Sequence, residues 1–505
     1  MMSGYTLCLA AAVSLSAGAA AAQGDDEVGF QAFNEAFNGI SPAVPDMAVG
    51  PDHIVAVSND GIRFFTKDGI MTYDNTFSGK YGFFPNGGTP WGPRALFDPH
   101  TNRFIVAAYY SYAVHDFISV AISDDEDPNG TWHLHTFGVD AVGDTVLWDG
   151  HRPSLGVDAG TIYVYNDFYF ASNPLDPFSH GFIFSIDKLA LMNGETPAVV
   201  PVEPFEFPAA LVPARTYDAD APAEYLVTPF GTLAHEDRLR LFALRDALGT
   251  PVVDTTLVDV LPYDSLSGSD RMPHPGGDSL TATDIRVRHA VYRGGSLWTA
   301  HHVREPGTGR HLARWYEIAM NGWPVSGEQP ALVQAGTIDL GPDVHTFLPD
   351  ISPDAEGNAY IVFHHTSAAT PPGVARALRL AGDPPGRIRS VEMLRETEIV
   401  LSSQTVYGAG AAADIDPADP GRGWVGGAYW ITNQWGGRQP SMWVNSVRMG
   451  CRADLNDDGE VNTLDFLAFL NAYAAGDPVA DFNGDTILDT LDFLAFLNAF
   501  TAGCP

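Results

Sequence analysis

The chain has 505 residues, with 27 Lys+Arg against 62 Asp+Glu and a formal charge of −35, a balance that excludes the basic footprint of a nucleic-acid binder. Apolar residues make up 45 % and aromatics 11 %, enough for a sizeable core, so wholesale disorder is excluded as well. Beyond the N-terminus no apolar run reaches the roughly 20 residues of a membrane span.

The chain opens on an export signal over 1–22: Leu7–Val13 is almost wholly apolar, and Ala19–Ala22 supplies small residues ahead of Gln23. Its removal predicts a secreted or cell-surface protein. It also takes away Cys8 and leaves Cys451 and Cys504, an even number that invites a disulfide.

Residues 23–449 are rich in strand signals and poor in helical periodicity. A unit recurs: a short apolar stretch, Asp or Pro, a Gly/Asn turn, then a β-branched and aromatic run. It begins at Asp46-Met-Ala-Val and Ile54–Val57, and recurs at Ala95–Asp98 with Phe104–Ala107 and at Ser154–Asp158 with Ile162–Tyr165. A weaker copy follows at Tyr217 and Tyr225–Val227. The last three fall at Val287 with Leu297–Ala300, Asp350–Asp354 with Tyr360–Phe363, and Ala412–Asp416 with Trp424-Val425. Further strands are expected at Phe117–Ile122 and Ala313–Ile318. Units of four strands at this spacing point to an all-β fold, a β-propeller of about seven blades. Six or eight blades, or an array of two-sheet sandwiches, stay open.

In such a ring the first strand of each unit starts, and the second ends, at one common face. That places Arg94, Arg152, Arg215 and Arg288 at first-strand starts, with Asp149 beside Arg152. Asn59, Tyr110, Asp167, His302, His365 and Tyr429 fall at second-strand ends. Converging guanidinium groups bind carboxylates, so an anionic sugar is one ligand expectation; salt bridges between blades are the other. His301-His302 and His364-His365 are adjacent on strands and point to opposite faces, so neither pair can chelate alone. His133 and His135 share a face of an outer strand. No Gly-x-Ser-x-Gly, His-Glu-x-x-His or phosphate-cradling loop is present.

The C-terminal segment, 450–505, carries ten acids and one base, Arg452. Thr463–Ala472 reads TLDFLAFLNA, and Thr490–Ala499 repeats it letter for letter. Each copy follows an acidic loop. Asp454, Asn456, Asp458, Asn462 and Asp465 occupy positions 1, 3, 5, 9 and 12, with Gly459 at 6 and the Glu460 carbonyl at 7, an arrangement that surrounds a calcium ion with hard oxygen donors. The second loop offers Asp481, Asn483, Asp485, Ile487, Asp489 and Asp492 in the same roles, but has Thr486 in place of Gly at position 6. Each following helix carries more large apolar groups than it can hide. Packing the two copies together covers part of them and leaves faces for a partner.

These paired loops with single helices, between Cys451 and Gly503-Cys504, resemble a dockerin of the type that ends in Gly-Cys. The resemblance implies folding on calcium and binding to a cohesin-like protein or cell-surface scaffold, often in polysaccharide-degrading assemblies. The body resembles sialidase-like propellers: Ser123-Asp-Asp-Glu-Asp127-Pro-Asn-Gly130-Thr-Trp132 is similar to an Asp-box turn with two extra residues. The sialidase catalytic set cannot be assigned on it. The sequence therefore predicts a secreted propeller, anchored through a calcium module, that recognises glycan or protein at its face. The alternatives are a secreted glycoside hydrolase or lyase on the same scaffold, and a purely structural surface-layer component.

Overall fold

The computed structural model describes residues 27–33, 44–59, 61–85, 88–112, 115–139, 141–142, 145–146, 150–168, 180–203, 211–231, 235–264, 270–281, 286–389, 391–399, 401, 410–432, 438–456, 460–483 and 487–503. The export signal therefore lies outside the described residues. So do Asp149, Asp458, Asp485, Thr486 and Cys504, together with the side chain of Arg152.

The strands pair antiparallel in consecutive four-stranded units. The first comprises Asp46–Val49, His53–Ser58, Gly61–Thr66 and Met71–Asn75. The second is Thr89–Asp98, Arg103–Tyr112, His115–Ser123 and Trp132–Gly138. Gly150–Val157, Thr161–Phe168, His180–Asp187 and Val199–Val202 follow. The next unit is Val212–Pro213, Glu224–Gly231, His235–Arg245 and Val252–Asp264. Then come Ala290–Arg293, Ser296–Arg304, His311–Ala319 and Ala331–Ile338. His345–Pro353, Ala359–Thr366, Gly373–Arg379 and Glu392–Glu396 follow in turn. The last unit joins Ala411–Ile415, Arg422–Thr432 and Arg438–Arg448.

The outer strand of that last unit comes from the other end of the chain. Gly29–Phe33 pairs antiparallel with Arg438–Arg448, a pairing that the repeat pattern gives no sign of. The sequence copy that looks weakest, around Tyr217, is short for a visible reason. Pro213 lacks an N–H and interrupts the first strand, which divides into Val212–Pro213 and Arg215–Thr216.

The first strands of successive units lie side by side and the ring closes, the last against the first. This is a β-propeller. Middle strands are packed on both faces and read as continuous apolar runs; Ala359–Thr366 is buried throughout. Outer strands alternate, as in Trp132–Gly138. Each main apolar cluster is shared by two neighbouring units. Between the 46–75 and 89–138 units it holds Val55, Phe64, Phe104 and Tyr110. At the closing junction Met47 and Ile54 of the first unit meet Trp424 and Val444 of the last, with Phe33 of the N-terminal strand beside them. The Ser123–Trp132 stretch is the turn that the sequence predicts, between third and fourth strands, with the Trp132 indole N–H donating to the Pro128 carbonyl at 2.8 Å.

Two helices of the C-terminal segment, Thr463–Ala475 and Thr490–Ala502, follow the duplicated loops. Each begins with a capping box, Asn462 with Asp465 and Asp489 with Asp492, which satisfies amide groups of the first turn. Phe469 and Phe496, equivalent residues of the two copies, stack at 4.2 Å. The segment touches the body through an Arg387–Asp477 ion pair at 3.2 Å and an Arg389 bond to the Asp454 carbonyl.

The closing strand yields a prediction. Phe33 is buried, with the Arg63 guanidinium 5.0 Å from its ring centre. Phe33→Ala is expected to lower stability by about 3–5 kcal/mol, measured by denaturant unfolding. A loss under about 1 kcal/mol would mean that this strand does not hold the ring shut.

Candidate functional site

The ring of first strands leaves an axis, and six charged side chains of the described residues meet on it. Asp46, Asp350 and Asp414 supply carboxylates; Arg94, Arg215 and His289 face them. His289 bridges two units' carboxylates, with Nε2 3.3 Å from Asp46 and Nδ1 3.0 Å from Asp350. Arg94 lies 3.8 Å from Asp46 and donates through Nε to the Pro153 carbonyl at 3.0 Å. Arg215 is paired with Asp414.

The same carboxylates also lace the units together. Asp46 accepts the Ala95 N–H at 3.3 Å, Asp350 the Ala413 N–H at 2.7 Å, and Asp414 the Val49 N–H at 3.1 Å, each from the next unit's first strand. Isolated charges in such a place would cost several kcal/mol each; here three negative charges meet three positive ones if His289 is protonated. Burial opposes its charged form, but Asp350 and Asp46 outweigh burial and push the His289 pKa to about 9. Burial alone would raise Asp46, yet His289 and Arg94 hold it below the usual carboxylate range.

The space left among these groups is about 10 Å³, lined by Asp46, Arg94, Leu155, Arg215, His289 and Ile351. That is room for about one water and none for a sugar ring. At this depth the axis is a brace.

The residues expected at the face divide accordingly. Arg94 and Arg215 belong to the brace, so their guanidinium groups answer internal carboxylates, not a ligand's. Arg288 is buried beside Arg94, Arg286 and Asp167 around a second 10 Å³ space, and Asp167 is held by Arg286 at 3.4 Å. Tyr110 is buried and donates to the Phe77 carbonyl at 3.2 Å. Tyr429 is buried with the Arg395 guanidinium 5.4 Å from its ring centre. Asn59 accepts the Gly92 N–H at 2.9 Å. The adjacent histidines do part company: His301 bonds the Tyr316 hydroxyl at 2.9 Å, while His302 stacks on His311 at 5.6 Å. His365 is buried with His364. Burial pushes His311, His345, His364 and His365 down to about 4.

In the C-terminal segment, Asp465 accepts the backbone N–H groups of Leu455, Asn456 and Asn462 at 2.8–3.1 Å. Asp492 accepts those of Asn483 and Asp489 at 3.0 and 2.9 Å. Among the described residues no group of three or more His, Cys, Asp or Glu converges on a metal position. Cys451 is disulfide-bonded, while Cys504 lies outside the described residues.

The sequence reading missed His289, Asp46, Asp350 and Asp414 as a set. A signal was present: Asp46, Asp350 and Asp414 all fall in first strands of recurring units.

Comparison with known proteins gives likeness of shape only. No family description and no curated protein matches the chain. Similar solved structures include a protein of unknown function from Dyadobacter fermentans, 12 % identical over 71 % of this chain and 95 % of that one, TM-score 0.36. An endo-arabinase from Bacteroides thetaiotaomicron is 13 % identical over 73 % and 99 %, TM-score 0.30. An α-L-arabinofuranosidase from Fusarium graminearum is 10 % identical over 83 % and 97 %, TM-score 0.37. At such scores the likeness transfers no activity.

The charge pattern sets a pH dependence. An unfolded imidazole titrates near 6.5. His289, raised to about 9, contributes stability that is full below pH 6.5 and lost as pH rises to 9, about 3 kcal/mol in all. The four histidines whose pKa is pushed down act oppositely, since the unfolded chain takes up their protons first as pH falls from 6.5 towards 4. Denaturant midpoints are expected to peak near pH 6.5 and fall on both sides, with the alkaline fall flattened in His289→Gln. A flat wild-type profile from 6.5 to 9 would refute the charged bridge.

Proposed function

We propose that the chain is an exported, seven-bladed propeller that recognises carbohydrate in a polysaccharide-related setting. Its C-terminal segment is a dockerin-like module that binds calcium and docks onto a cohesin-like protein or cell-surface scaffold. The observation that carries the recognition reading is the filled axis. A glycosidase needs two carboxyl groups about 5–9.5 Å apart with a sugar between them; the axial carboxylates here are answered by Arg94, Arg215 and His289 around about 10 Å³.

Calcium would be held by Asp454, Asn456, Asp458, Asn462, Asp465 and the Glu460 carbonyl, and by Asp481, Asn483, Asp485, Asp489, Asp492 and the Ile487 carbonyl. The donor chemistry fits a hard cation, and the last two side-chain donors of each set, Asn462 with Asp465 and Asp489 with Asp492, stand at a helix start, where they already organise the loop backbone. A Cys451–Cys504 bridge would tie the module's ends. The docking reading draws on the leucines: with the phenylalanines packed inside, Leu464, Leu467, Leu491 and Leu494 are about half exposed or more, in matching positions of the two copies.

A second reading, hydrolysis, has one observation in its favour. Glu224 is buried, and burial holds its carboxyl well above the usual range. It shares a cleft of about 320 Å³ with Asp158, whose oxygens accept the Tyr163 hydroxyl and the Gly160 and Thr161 N–H groups at 2.7–2.8 Å. A carboxyl raised by burial beside a hydrogen-bonded carboxylate is the kind of pairing that two-carboxylate hydrolysis uses.

Two experiments test these readings. Titration of the full chain with calcium is expected to show two sites, both lost in Asp465→Ala/Asp492→Ala; no heat of binding would end the calcium reading. A glycan array followed by a reducing-end assay separates recognition from hydrolysis. Binding without turnover is expected, whereas turnover abolished by Glu224→Gln would make the chain a hydrolase.

A further inference from the structure

The axis opens at its other end. Where first strands hand over to second strands, the hairpins of several units surround a cavity of about 510 Å³, within the size range of small-molecule sites. Phe97, Asn102, Tyr217, Arg293, Asp414 and Asp416 line it, together with three prolines. This is the opposite mouth from the one that the sequence reading singles out.

The lining is of two kinds. Tyr217 and the prolines give apolar surface, backed by the buried Phe97, suited to the C–H face of a pyranose or furanose ring. Polar groups stand among them. Arg293 lies 4.3 Å over the Tyr217 ring and donates from one nitrogen to the Pro353 carbonyl at 3.1 Å; a guanidinium has five N–H donors in all. Asp218, also on the wall, accepts the Gly294 and Gly295 N–H groups at 3.0 Å each.

Charge decides the class of sugar. Asp414 is matched by Arg215 and Asp416 by Lys67, and Asp218 and Arg293 add one charge of each sign to the wall. Among the described lining residues and their ion-pair partners positive charge does not exceed negative, so a uronate or sialate carboxylate meets no net attraction there. Asp218 also lines the 320 Å³ cleft that holds Asp158 and Glu224, so the two spaces meet at one residue and offer room beyond a single ring.

We propose that this mouth is the ligand site and takes a neutral oligosaccharide, one ring over the axis and the chain running towards the Asp158–Glu224 cleft. The proposal rests on the carbohydrate reading above and adds the place and the charge class.

Ala355 is exposed at the rim, in the turn after His345–Pro353, so Ala355→Trp fills the cavity without touching the core. Arg293→Met removes the donors and keeps the stem. Calorimetry of the full chain with neutral arabino-, xylo- and gluco-oligosaccharides, and with galacturonate oligomers, is the test. Neutral oligomers are expected to bind, uronates not, and each variant to weaken binding about tenfold or more with unchanged thermal melting. Should Arg293→Met fail to fold, Asn102→Trp at the same rim replaces it. Neutral binding that both rim variants leave intact would overturn the site and spare the carbohydrate reading. Absence of any glycan binding by the wild type would sink both, and a preference for uronates would overturn the charge argument.

Discussion

One imidazole between two carboxylates holds the centre of this protein. His289 touches Asp46 and Asp350 of two different units, and those carboxylates in turn accept the N–H groups of Ala95 and Ala413 in the first strands of neighbouring units. Units packed only by apolar faces could slide radially with little penalty, because the hydrophobic effect is not directional. Hydrogen bonds and ion pairs at the axis fix both distance and register. Their strength depends on completeness: with one partner removed, a buried charge is left unanswered, typically at about 3–5 kcal/mol.

The fold was largely legible in the sequence, since the repeat shows in the apolar runs of first and second strands and these are the segments buried on both sides. Outer strands, half exposed and variable, left weaker traces. Gly29–Phe33 left none, because its partner is more than 400 residues away and no local pattern encodes such a pairing. The candidate site was legible only as a list. Arginines could be placed near strand starts, but whether a guanidinium faces a ligand or an aspartate of the next unit depends on neighbours that sequence order does not reveal. Arg94 and Arg215 turned out to be spoken for by Asp46 and Asp414. The cavity at the opposite mouth was invisible for the same reason, being assembled from hairpin residues that are ordinary turn formers taken one by one.

The C-terminal segment is joined to the body by more than its linker. Arg389 holds Asp383 through two hydrogen bonds and reaches across to the Asp454 carbonyl, while Arg452 donates to the Asp481 and Phe482 carbonyls. Arg389 thus binds the start of the first acidic loop, and Arg452 the start of the second. Any rearrangement of these loops would be felt by a buried ion pair of the propeller.

The closing strand has a consequence for how the chain comes into being. Residues 29–33 leave the ribosome, or cross a membrane, ahead of everything they will pair with; Val28 meets Ser446 at a separation of 418 positions. Until the final strands arrive, the growing protein is an open arc with two unsatisfied ends, and such an arc can recruit a strand from a second nascent copy as readily as its own. The order of synthesis therefore makes ring closure a late event in the folding of the propeller. A chain interrupted before residue 438 lacks the strand with which Gly29–Phe33 pairs.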